Sequence, residues 1–91
     1  MNLPPTLLTG LNAPNARDRD AAAEQLGDIL RWPSLTQHEA ETAVARLLTA
    51  TIQDPDDAVR ESALNAIGNA FECRDLPLRL VAGLVLQRSL A

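Results

Sequence analysis

Apolar residues recur every three to four positions along most of this chain, the spacing that gathers them on one face of an α-helix. Over residues 37–53 the stripe is Ala40, Val44, Leu47, Leu48 and Ile52. Over 16–31 it is Ala22, Leu26, Ile29 and Leu30, and over 57–72 it is Val59, Ala63, Ile67, Ala70 and Phe71. A short helix around 5–11 and a last one over about 76–90 complete a prediction of five helices. The punctuation agrees with these limits. Trp32-Pro33 stops the second helix, because a residue before proline is pushed out of the helical region. Thr36-Gln37-His38-Glu39 fits a capping box at the start of the third. Asp75 is placed to cap the fifth, with Pro77 in its first turn.

The pattern repeats. At an offset of 41, residues 13–30 lie over 54–71, so that Pro14 meets Pro55, Arg19 meets Arg60, Ala22 meets Ala63 and Gly27 meets Gly68. The register extends upstream, with Leu3 over Val44 and Leu7 over Leu48, and downstream, with Leu35 over Leu76. Gly27 and Gly68 fall mid-helix, where glycine is about 0.5–1 kcal/mol worse than alanine. Their matched positions predict a close helix–helix approach at both.

A period near 40 with two helices per unit resembles HEAT-type α-solenoids. The run Asp54-Pro55-Asp56-Asp57-Ala58-Val59-Arg60, then Ala63 and Ile67-Gly68, is similar to the turn and second helix of that repeat. The resemblance implies an all-α, short right-handed α-α superhelix of about two and a half helix pairs. Residues 1–91 then form one domain, with units over about 3–32 and 36–73 and a capping helix over about 76–90. It also implies that Arg19 and Arg60 hold the stack in register by pairing with Asp54 or Asp56. The first copy departs from the pattern, with Asp18 in place of a valine and Asn15 in place of an aspartate, as a terminal unit tolerates.

Composition supports the helical reading. Alanine and leucine supply 31 of the 42 apolar residues, and valine and isoleucine seven, too few β-branched residues for a sandwich or barrel. Two aromatics, Trp32 and Phe71, exclude a base-stacking platform or an aromatic cage. Eight basic against twelve acidic residues, a net charge of −4, argue against nucleic acid as partner. All eight basic residues are arginine, which with the alanine content resembles the coding bias of a GC-rich bacterial genome. The start lacks the pattern of a secretory signal, and the longest apolar stretch, 80–86, is too short to span a bilayer. A cytoplasmic protein with no membrane contact is expected. One cysteine and one histidine give no disulfide, no cysteine cluster and no two-histidine metal site, so neither metal nor cofactor is expected.

The candidate chemistry is thin. Asp54-Pro55-Asp56-Asp57 fails as a calcium loop, since Val59 and Asn65 stand where glycine and glutamate are needed. His38 has no nucleophile or second acid at a useful spacing and is expected to be exposed. Cys73 is expected to be buried and inert, and Trp32 to pack between repeats. No catalytic set survives. One constellation is more informative. Asp20, Glu24 and Asp28 share a helix face at i, i+4 and i+8, where like charges repel by a few tenths of a kcal/mol per pair, roughly. The matching stripe is Glu61, Asn65 and Asn69. Side by side, the two stripes make either an ordinary solvated face or an acidic groove that attracts a basic protein. Residues 1–72 carry 5 Arg against 11 acids, or −6, whereas 73–91 carry 3 Arg against one acid, or +2. The stretch 76–90 is apolar nearly all round and is expected to cap the stack or to meet another chain, giving a monomer or a weak homodimer.

These features lead to a binding protein rather than an enzyme. A small, acidic, single-domain helical chain is similar to the immunity proteins of contact-dependent growth inhibition systems. That resemblance implies neutralisation of a basic toxin domain, foremost a nuclease, through Asp20, Glu24, Asp28, Glu61, Asn65 and Asn69. The alternative is a HEAT-like adaptor or scaffold that assembles a larger complex or a homo-oligomer.

Overall fold

The computed structural model describes residues 3–82. They form four α-helices and a 3₁₀ turn, with no strand among the described residues: α1 (Pro5–Gly10), α2 (Ala16–Ile29), α3 (Gln37–Gln53), α4 (Asp57–Cys73) and the turn Leu78–Val81. Local chemistry sets the boundaries. Asn15 caps α2 by accepting from the Asp18 amide at 2.8 Å. Asp56 caps α4 by accepting from the amides of Ala58 and Val59. At the start of α3 the capping box is complete, since the Thr36 hydroxyl accepts from the Glu39 amide and the Glu39 carboxylate accepts from the Thr36 amide. Each cap satisfies donors that the first helical turn leaves orphaned. The chain leaves α2 earlier than Trp32, in i→i+3 bonds from the amides of Arg31 and Trp32 to Asp28 and Ile29.

One core joins the helices, centred on Leu26, Leu30, Val44, Leu47 and Val59, all fully buried. Burying each such side chain contributes about 1.5–3 kcal/mol. Helix α4 packs against both α2 and α3, while α1 packs on α2 and the 3₁₀ turn on α3. The 41-residue register is visible in the hydrogen bonds. The Arg19 Nη1 donates to the Ala13 carbonyl at 2.9 Å, and Arg60 Nη1 donates to the Asp54 carbonyl at 2.7 Å, so donor and acceptor both move by one repeat.

The fifth helix does not begin where the pattern predicts. Leu76 and Pro77 stand outside any helix, and a 3₁₀ turn begins at Leu78 with no side-chain cap from Asp75. The rule that ends a helix before Trp32-Pro33 applies equally to Leu76-Pro77, because Pro77 disfavours a helical Leu76. Leu76 is instead buried in the core. The remainder of the expected capping helix, 83–90, lies outside the described residues, and with it the cap-or-dimer question.

The two matched glycines differ. A Cβ on Gly27 would lie 3.2 Å from both the Cα and the Cβ of Ala66, so α2 and α4 approach closely there. Gly68 is exposed and its Cβ position has nothing within 4 Å, which corrects the expectation of a close approach at that site. The reason is positional: α2 has α4 beside it, and the same face of α4 has no described helix against it. Gly68→Ala is therefore expected to raise stability by about 0.5–1 kcal/mol through helix propensity alone. Gly27→Ala gains the same propensity but crowds a backbone, which costs about 1–3 kcal/mol, and should come out below wild type. Urea midpoints for the pair check this, and equal gains in both variants would contradict the packing described for Gly27.

Candidate protein-binding groove

The two polar stripes do come together. Between α2 and α4 runs a groove of about 250 Å³ lined by Ala23, Glu24, Gly27, Asp28, Ser62, Asn65, Ala66 and Asn69. Small residues form its floor because Gly27 lets the helices touch, and the longer polar side chains stand along its walls. Glu24, Asp28 and Asn65 are exposed. Neither Glu24 nor Asp28 has an ion-pair partner among the described residues.

The other three expected contact residues stand differently. Asp20 is half-buried, and its carboxylate accepts a hydrogen bond from the Ser62 hydroxyl, tying α2 to α4. Asn69 is also used internally: its amide donates to the Gly27 carbonyl, and its oxygen accepts from Arg31 Nη2 at 2.8 Å. Glu61 is exposed on α4 but does not line the groove. A basic residue, Arg31, reaches across one end of the stripe to Asn69. Ser62 and Arg31 act between helices, so no local spacing in the sequence reveals them. The signal that could have found them is the register, which sets α4 beside α2.

The structural arginines stand in the first turns of α2 and α4, and Asp54 and Asp56 in the turn before α4. Arg19 forms a buried pair with Asp54, Nε to Oδ2 at 2.8 Å and Nη2 to Oδ1 at 3.3 Å, and also bonds the carbonyls of Ala13 and Pro14. This bidentate geometry suits a guanidinium and a carboxylate. Arg60 meets the Asp54 carbonyl and the Asp57 carboxylate, not the side chains of Asp54 or Asp56. Asp56 serves as the cap of α4. A larger hollow of about 400 Å³ opens beside this turn, lined in part by Arg19, Arg46 and Asp54, but Arg19 and Asp54 already satisfy each other there.

Burial pushes the Asp54 carboxyl up, but the Arg19 guanidinium, the Asp56 amide and the nearby Arg60 outweigh it and hold it below its ordinary 3.8. A carboxylate whose folded pKa is depressed contributes stability above its unfolded pKa and loses it as pH falls through the folded one. Wild-type stability should thus decline as pH drops below about 4, and Asp54→Asn should flatten that decline while being less stable at neutral pH. Chemical denaturation across acidic pH reads both; parallel profiles for the two proteins would contradict the pairing.

His38 is exposed, as expected, and so is Cys73, which was expected to be buried. Cys73 ends α4, past the last residue that faces the core. Trp32 is 37% exposed, with its carbonyl taken by Arg74, so it is a partly open cover rather than a buried aromatic. Among the described residues no cluster of three or more His, Cys, Asp or Glu could hold a metal ion, and no helix is long and apolar enough to cross a membrane. The chain matches no protein-family model, no curated protein and no solved structure.

Proposed function

We propose that this chain is a protein-binding module that neutralises a basic bacterial toxin domain, foremost a nuclease, as an immunity protein does. The observation that carries the reading is the pair Glu24 and Asp28, exposed on the wall of the α2–α4 groove with no ion-pair partner among the described residues. Unpaired carboxylates at i and i+4 repel each other, and that unfavourable spacing is relieved by a basic partner. A nuclease site is basic because it holds phosphates, so an acidic groove can occupy it in place of nucleic acid. In this reading the protein works in the cytoplasm as a binder, without catalysis or cofactor. Its helices are the first pairs of a HEAT-like right-handed superhelix, which the 41-residue register supports. The second reading, an adaptor that assembles a larger complex, is favoured by one feature, an apolar face of α4 that no other described helix covers.

Photo-crosslinking in the native host tests the proposal. A photoreactive residue at Asn65, in the groove, should trap a basic protein that the same residue at Ala45, exposed on α3, does not. The trapped protein should be toxic when expressed without this chain. Identical adducts from both positions, or a harmless acidic partner, would overturn it.

A further inference from the structure

The repeat assigns a second surface. Along α2 and the two residues after it, the side towards α4 carries Asp20, Ala23, Gly27 and Arg31, with Leu30 buried in the core beneath. One repeat on, α4 carries Glu61, Leu64, Gly68, Phe71 and Glu72 at the same positions. Ala23 and Leu30 are fully buried, but Leu64 is 48% exposed, Gly68 is open to solvent and Phe71 is half-buried. The outer face of α4 is therefore an apolar seam with a glycine notch, flanked by Glu61 and Glu72, both exposed.

We propose that this face docks one basic helix of a partner protein, seated as α4 is seated on α2. The internal interface gives the partner's pattern. Helix α4 offers Ser62 to Asp20, Ala66 to the Gly27 notch and Asn69 to Arg31. On the outer face Glu61 keeps the acceptor of Asp20, Gly68 keeps the notch, and Glu72 reverses the charge of Arg31. The docking helix thus needs a hydroxyl or ammonium donor, a small residue four positions on, and a lysine or arginine three beyond that. A second copy of this chain does not meet these needs. Its free α2 face offers Ala21, Gln25 and Asp28 at those positions, all exposed, which sets Asp28 against Glu72 and gives Glu61 no donor. The surface is separate from the groove lined by Glu24 and Asp28, so either can fail alone.

The test titrates a stapled helical peptide bearing Ser, Ala and Arg at i, i+4 and i+7 into the ¹⁵N-labelled full chain. Saturable shifts should centre on Glu61, Leu64, Gly68, Phe71 and Glu72 and leave Glu24 and Asp28 unmoved. Gly68→Leu, which fills the notch without touching the core, and Glu72→Lys should each weaken binding at least about tenfold, with the helical circular dichroism of wild type. Replacing the peptide arginine by glutamate should abolish it. The proposal is overturned by no saturable shift up to about 1 mM, by shifts centred on the groove, or by affinity indifferent to both variants. It is equally overturned if the same resonances move with protein concentration alone, which would assign the face to a second copy.

Discussion

Arg19→Ala should lower the free energy of unfolding by about 3 kcal/mol, a large loss for a domain this small. Three of the Arg19 nitrogens are engaged, Nε and Nη2 with the Asp54 carboxylate and Nη1 with the carbonyls of Ala13 and Pro14. Asp54 is 9% exposed, so removing the arginine leaves a carboxylate facing the interior with one remaining partner, the Asp56 amide. Breaking one side of such a pair costs more than the pair contributes, because an uncompensated charge stays behind. The double variant Arg19→Ala/Asp54→Ala should therefore be less unstable than the sum of the two single variants. Arg60→Ala should cost less, about 1 kcal/mol, since its bonds are to one carbonyl and an exposed Asp57. Urea denaturation of the four variants reads these differences. Equal losses for Arg19→Ala and Arg60→Ala would contradict the view that the turn before α4 is held from α2.

That tie also shows what could be read from the chain in advance. The 41-residue register and the apolar stripes predict α2, α3 and α4 to within a few residues, because helix caps and side-chain periodicity are local properties. The capping box at Thr36 and Glu39 is local in the same sense. Matching positions do not guarantee matching environments, however. Gly27 and Gly68 are equivalent in sequence, yet one is pressed against Ala66 and the other is open, since the environment depends on what lies beside each helix. Cys73 and Trp32 differ from their expected burial for the same reason. In the candidate site the acidic face was legible, but its division was not. Asp20 and Asn69 are spent on Ser62, Gly27 and Arg31, contacts that bridge residues some 40 positions apart, whereas Glu24 and Asp28 have no ion-pair partner among the described residues. The turn at Leu76-Pro77 is local too, since Pro77 disfavours a helical Leu76 just as Pro33 disfavours a helical Trp32.

The second large effect concerns binding. Glu24→Arg together with Asp28→Arg should weaken the partner trapped from the groove by at least about 100-fold, near 2.7 kcal/mol. Each reversal removes an attraction and adds a repulsion where the partner is basic. Much of the change should fall on the association rate, because exposed charges steer encounter. Raising the salt should weaken wild-type binding and leave the double variant less affected, since screening acts on the attraction that the variant has lost. Stability should be nearly unchanged, because neither carboxylate pairs with another group among the described residues. Asp20 must be left intact in this experiment, as its bond to Ser62 holds α2 against α4.

The most direct measurement is therefore the affinity of that partner for wild type and for the Glu24→Arg/Asp28→Arg variant, at low and at high salt. The account predicts a loss of about two orders of magnitude that narrows as salt rises. An affinity unchanged by the double reversal, at either salt, would contradict an acidic α2–α4 groove as the binding surface.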